Sequence, residues 1–147
     1  MSQQPRVSFY PLSQVGSDAA LYFACRLTEK ACQLGHRVHL HTTSIEQARL
    51  LDTLLWQFKP ESFLPHVLLE SDPPADSDQP TITIGTGKAK PDRPEVLINL
   101  ADVVWDYHTE FKDIREIVTA DETHRVLGRE RYRRYQQWGY PVETLKI

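Results

Sequence analysis

Glycine is scarce in this chain: six in 147 residues, nowhere three of them at the spacing by which a dinucleotide loop lets pyrophosphate approach the backbone. Cysteine is scarcer still. Cys25 and Cys32 are the only two, and both fall in a segment patterned as one helix. Seven helical residues separate Cα atoms by about 10 Å, too far for a disulfide, so they read as small buried hydrophobes in a reducing cytosol. No apolar run approaches the roughly 20 residues of a bilayer crossing. The stretch from Met1 to Arg6 has neither the charged start nor the apolar core of a signal peptide. A cytoplasmic protein with no membrane partner is expected. Positive charge is also short: 17 Lys and Arg against 20 Asp and Glu give a net charge of −3. Non-specific coating of duplex DNA, which needs many cations to neutralise phosphates, is excluded.

What is present is ordinary globular chemistry, 40% hydrophobic and 25% charged, enough for one domain over residues 1–147. Val7 to Tyr10 alternates as a strand that Pro11 stops. Ser17 or Asp18 can cap a helix that Gly35 ends. Its apolar arc (Ala20, Phe23, Ala24, Leu27, Ala31 and Leu34, widened by Leu21, Cys25 and Cys32) suits a helix lying flat on a sheet. Arg37 to Thr42 is a second alternating strand. Ser44 and Gln47 form a capping box for the next helix, whose stripe is Ile45, Ala48, Leu51 and Leu55; Leu50, Leu54 and Trp56 fall off it. A short strand at Val67–Leu69 precedes an acidic, proline-containing loop over residues 70–80. Thr81–Ile84 and Val96–Leu100 are strands, the second apolar enough for a sheet centre. Trp105–Phe111 forms a short helix, Glu116–Val118 the last strand, and Asp121 opens a final helix over Glu122–Trp138. Strands alternating with helices define a three-layer α/β domain, a largely parallel sheet with helices on both faces.

Such a sheet invites a nucleotide, but the chain does not supply the loop. The turn after the first strand, Pro11 to Ser17, holds one glycine. Gly85-Thr86-Gly87-Lys88 lacks the first glycine of a P-loop and runs into Pro91 instead of a helix, so no helix N-terminus is available for phosphate. His39 and His41 share a strand face, yet no further ligand completes a metal site; they read as hydrogen-bonded surface or interface histidines. Asp102 and Asp106 share a helical face only as solvated or structural acids. No nucleophile elbow exists. Neither a cofactor nor a catalytic residue is expected.

The final helix is different. Arg125, Arg129, Arg131, Arg133 and Arg134 crowd into ten residues of an acidic chain. Arg125, Arg129, Tyr132, Arg133 and Gln136 form one stripe at 100° per residue, a surface that can grip carboxylates beside an apolar wall. Leu127, Tyr135 and Trp138 face the core, and Arg131 falls on the buried side, where it needs a structural ion pair. The run Leu127-Gly128-Arg129-Glu130-Arg131-Tyr132-Arg133-Arg134-Tyr135, followed by Gly139-Tyr140, resembles the C-terminal helix of the chi subunit of bacterial DNA polymerase III holoenzyme. Trp56 followed by Pro60-Glu61-Ser62-Phe63-Leu64-Pro65-His66 resembles the same family, as do Val7–Tyr10, Arg37-Val38 and the length.

The resemblance implies a non-catalytic accessory subunit with a Rossmann-like fold that binds no nucleotide. It implies one-to-one pairing with the psi subunit, which tethers chi to the clamp loader, and binding to the acidic C-terminal tail of single-stranded-DNA-binding protein. Some family members also engage a repair helicase through a surface overlapping the psi site. Carried onto this sequence, the tail site is Val118, Arg125, Arg129, Tyr132 and Arg133, with Gly139 at its edge; arginine replaces the lysine of some relatives at 125 and 133. The psi- or helicase-facing surface is Trp56, Pro60 and Phe63, the bland alternative being that Trp56 and Phe63 close the core. The acidic loop departs from relatives with glycine and basic residues nearby. DNA would be reached only indirectly. Two other readings are a nucleotide- or nucleic-acid-processing α/β enzyme and a direct single-strand binder using stacked aromatics and arginines.

Overall fold

Short β-branched runs alternating with amphipathic helices must bury both faces of their strands. The computed structural model, which describes residues 4–58, 64–69 and 80–145, shows how. The elements in chain order are β1 (Arg6–Pro11), α1 (Ser17–Gln33), β2 (Val38–Thr42), α2 (Ile45–Gln57), β3 (His66–Leu69), β4 (Ile82–Thr86), β5 (Val96–Asn99), a 3-10 helix (Asp106–Glu110), β6 (Asp113–Val118), α3 (Glu122–Gln137) and β7 (Val142–Thr144). The strands form one sheet in the order β3-β4-β2-β5-β6-β1-β7, and every pairing is parallel. The apolar strand β5 occupies the centre, as its composition implied. Residues 70–79 of the acidic loop lie outside the described residues.

Strand alternation sorts the core into two layers. Val38, Leu40, Ile82, Ile84, Val96, Ile98 and Ile117 pack under α1 and α2. Val7, Phe9, Leu97, Ile114 and Val118 face the other way, against Trp105, Phe111 and Tyr135 from the 3-10 region and α3. The three-layer α/β architecture is therefore as read from the sequence, with a Rossmann-like parallel sheet.

Several local details differ. α1 is capped by Gly16, without a side-chain hydrogen bond, in place of Ser17 or Asp18. Leu34 lies beyond the helix and is exposed, whereas Gly35, at φ 85°, ends it as expected. Ser44 does cap α2, accepting from the backbone N–H of Gln47, whose side chain returns to Thr43. Ile45, placed on the buried stripe, is instead exposed. Strand β6 is not the last. After Gly139 (φ 80°) the chain returns beside β1, with Val7 opposite Val142, a strand of three residues too short to show a pattern. Asp106 begins the 3-10 helix while Asp102 precedes it, so the two acids share no helical face.

Candidate functional site

The C-terminal ends of parallel strands are where α/β proteins usually bind ligands, with a helix N-terminus holding an anion. Here that place at the start of α1 is taken by the protein itself. Asp121, from the start of α3, accepts a hydrogen bond from the Gly16 N–H at 3.0 Å and another from the Thr119 hydroxyl at 2.7 Å. The Nδ1 atom of His124 lies 2.6 Å from that hydroxyl and 3.3 Å from the carboxylate. The Gly16 amide first, then Thr119, hold the Asp121 carboxyl below its ordinary range. A phosphate at this helix start would meet a carboxylate already in place. Commitment to Gly16 also explains why Asp121 stands at the α3 N-cap without capping it through its side chain. The other glycine pair leads nowhere near a helix: Gly87 turns the chain at φ 61°, and its carbonyl accepts from the Trp105 indole N–H at 2.9 Å.

His39 and His41 are not surface residues. They are 1% and 7% exposed, on the face of β2 that turns from α1 and α2, stacked on Trp105 with ring centroids 5.3 and 4.2 Å away. A strand near the sheet centre is covered on both sides, so alternation there separates two interiors, not interior from solvent. His39 Nδ1 meets the Thr83 hydroxyl at 2.7 Å, while its Nε2 and the Nδ1 of His41 are buried with no hydrogen-bond partner among the described residues. Burial, reinforced by its neighbour His41, lowers the His39 pKa to about 3; burial lowers that of His41 to about 4. Among the described residues no group of three or more His, Cys, Asp or Glu could hold a metal. Burial pushes the Cys25 and Cys32 thiols up to about 12 and 11, which keeps them protonated and inert. Among the described residues no helix is long and apolar enough to cross a membrane.

The arginine helix carries the recognisable surface. Its position is fixed from beneath. Glu116, fully buried on β6, receives Arg131 Nε at 2.9 Å, the Tyr135 hydroxyl at 2.6 Å and Asn99 Nδ2 at 3.0 Å. Arg131 Nη1 also donates to the Asp102 carbonyl at 2.9 Å. Arg131 thus has the structural ion pair its place on the helix wheel demanded. Burial and the adjoining Glu116 raise the Tyr135 pKa, so its hydroxyl stays a donor. One turn earlier, Gly128 lets α3 approach the sheet: a Cβ there would lie 2.9 Å from Val118 Cγ2 and 3.0 Å from Cγ1. Trp138, expected in the core, is 43% exposed and stacks on His108 at 5.1 Å.

Above this contact Val118, Arg125, Arg129 and Tyr132 come together around a shallow pocket of about 200 Å³. Phe9 and Pro11 of β1, Gly128 and Thr144 complete its lining. Phe9 packs on Tyr132 with centroids 5.2 Å apart. Arg125 and Arg129 are exposed, and Tyr132 is half-buried. Among the described residues Arg129 has a long, exposed ion pair to Glu122 at 3.9 Å, a contact of little worth in water. Arg133 is exposed on the same helix and Gly139 follows its end, but neither lines the pocket. Phe9, Pro11, Gly128 and Thr144 were missed from sequence. The signal for Gly128 was available: a glycine inside a helix costs about 1 kcal/mol against alanine and needs a packing reason.

At the opposite end of the chain's first half, Trp56 is 49% exposed and leans on the ring of His66 at 4.2 Å. His66 is held by the Leu64 carbonyl at Nδ1 and the Asp52 carbonyl at Nε2. Leu50 on the same helix is also exposed. Pro60 and Phe63 lie outside the described residues.

The fold and the pocket define a parallel α/β protein whose recognisable surface is an arginine-flanked apolar pocket between α3 and the C-terminal ends of β1, β6 and β7. The pattern of the family described as "DNA polymerase III chi subunit, HolC" matches residues 4–143. The chain belongs to that family, the chi subunits of DNA polymerase III, which are replication accessory subunits. It is 34% identical to the DNA polymerase III subunit chi of Pseudomonas aeruginosa over 97% of this chain and 96% of that protein. The Escherichia coli chi subunit is 29% identical, with 88% of this chain and 86% of that one covered. Among solved structures, "The crystal structure of T4 UvsW" superposes with a TM-score of 0.65 at 7% identity. It covers 96% of this chain, which spans only 41% of that one, and the likeness is one of fold alone.

Proposed function

We propose that this chain is a non-catalytic adaptor of the replicative polymerase, joining the clamp loader, through psi, to the acidic C-terminal tail of single-stranded-DNA-binding protein. The observation that carries the tail contact is the pocket between β1, β6 and α3. Its floor of Phe9, Val118 and Gly128 is apolar, and its rim holds Arg125, Arg129 and the Tyr132 ring. An acidic peptide ending in a hydrophobic residue and a free carboxylate needs that combination: an apolar seat, with cations beside it. Arg133 and Gly139, outside the pocket itself, supply long-range attraction and an edge in this reading. Affinity for one tail is modest and is raised when several tails belong to one partner.

Titration with the tail peptide tests this. Wild-type protein binds it in a salt-sensitive manner, and Arg129→Ala weakens binding at least about tenfold, the loss of one charge-assisted contact. Equal binding by the mutant overturns the reading. A bare oligonucleotide and nucleoside triphosphates serve as competing ligands; tight, Arg129-dependent binding of either would favour a direct single-strand binder or an enzyme. The Asp121 carboxylate at the start of α1 speaks against the enzyme.

Psi is assigned to the surface around Trp56, extended by Pro60 and Phe63. Support comes from the family and from a half-exposed indole on a helix that also exposes Leu50. A folded Trp56→Ala, Phe63→Ala double variant fails to co-purify with psi; full co-purification would place psi elsewhere.

A further inference from the structure

The pocket on α3 does not end at Arg125. Pro11 and Arg125 also line a second, larger cavity of about 780 Å³ that runs onto α1. The two share these residues, so they adjoin at Pro11 and Arg125. The floor of the larger cavity is apolar, built by Leu12, Ala19 and Phe23. At its far side Tyr22 is exposed, edge-on to Phe58 at 5.4 Å. The Arg26 guanidinium lies over the Phe23 ring at 5.7 Å, a placement that holds the cation at the wall while leaving its N–H groups for a ligand. Neither Arg26 nor Arg125 has an ion pair among the described residues. The lining therefore carries two arginines against one acid, Asp18.

We propose that this groove, from Arg125 to Tyr22 and Arg26, binds the residues upstream in the same acidic peptide whose C-terminal end sits in the α3 pocket. The inference rests on the tail reading above and extends it from an end-group site to a bipartite one. Carboxylates upstream of the terminal residue meet Arg125 and then Arg26. An apolar or aromatic upstream residue lies on Tyr22 and Phe23. The single acid at 18 sets a position where an acidic peptide residue is disfavoured.

Two peptides with the same end separate the two sites: one of four residues, and one of ten with acidic residues upstream, long enough at about 33 Å extended to cross both cavities. Fluorescence anisotropy is read at low and moderate salt. Arg26→Glu weakens the long peptide about tenfold and Asp18→Asn tightens it a few-fold, while neither changes the short peptide. Arg129→Ala weakens both. If the short peptide binds and Arg26→Glu leaves the long one unchanged, the groove is not occupied and the end pocket stands alone. If neither peptide binds the wild-type protein, the tail reading fails and the groove with it. If Arg26→Glu instead weakens a single-stranded oligonucleotide and not the long peptide, the groove is a nucleic-acid site and the inference is overturned. Circular dichroism of each variant confirms the fold, and unchanged short-peptide binding is the internal control.

Discussion

Arg131→Ala is expected to cost about 3–5 kcal/mol of folding stability, the range for removing one partner of a buried ion pair. Arg133→Ala, two residues away, is expected to cost no more than about 0.5 kcal/mol. The two arginines differ only in where the helix turn places them. Arg133 is solvated. Arg131 is the cation facing Glu116, whose carboxylate is fully buried 2.9 Å away. Without it, Tyr135 and Asn99 still donate, but the charge is left uncompensated in a low-dielectric layer. For a chain of this size 3–5 kcal/mol corresponds to a loss of roughly 10–16 °C in Tm. Urea unfolding followed by tryptophan fluorescence measures both variants; similar midpoints would remove Arg131 from its structural role. The double variant Arg131→Met, Glu116→Gln recovers part of the loss, because the buried charge disappears while an amide oxygen still accepts from Tyr135 and Asn99.

The second large effect is acid sensitivity. His39 and His41 are neutral in the folded protein, with pKa values of about 3 and about 4, against an ordinary 6.5 when unfolded. Below pH 6.5 the unfolded chain binds protons that the folded chain refuses, so stability rises with pH across this range. It is complete above about pH 7 and is lost as pH falls from 6.5 towards 4. Each histidine contributes up to about 1.4 kcal/mol per pH unit, so the two remove several kcal/mol between pH 6.5 and 4.5, before most carboxylates titrate. His41→Phe keeps a flat ring against Trp105 and deletes one proton site. Its unfolding free energy should lose about one proton's worth of slope in that window. A slope equal to that of the wild type would show that His41 is not held neutral.

These residues also show what was legible beforehand. The place of Arg131 can be read from the sequence because a helix wheel depends only on spacing, and an arginine on the buried side has few options. Its partner Glu116 could not be named, since the packing of α3 on β6 brings them together across 15 residues. The burial of the histidines is hidden from the sequence for the complementary reason. Alternation on β2 is real, but whether its second face meets water depends on Trp105 and Phe111, which come more than 60 residues later and close over it. The pocket was half legible. The residues on α3 follow from charge spacing, and Val118 from family resemblance. Phe9, Pro11 and Thr144 come from strands made adjacent only by tertiary pairing, and the groove towards Arg26 needs α1 laid beside them.

That pairing sets the order in which the molecule can be completed. Strand β1 lies between β6 and β7, with Val7 beside Ile114 on one edge and Val142 on the other. Both partners emerge from the ribosome more than 100 residues after it. Strand β1 therefore waits for more than 100 further residues before it has a neighbour, and such distant pairings slow folding because loop closure precedes any reward. Until β6 and α3 arrive, the floor of the arginine pocket is an unpaired edge, exposed to other chains. The arginine pocket is thus completed only after the rest of the sheet has been made.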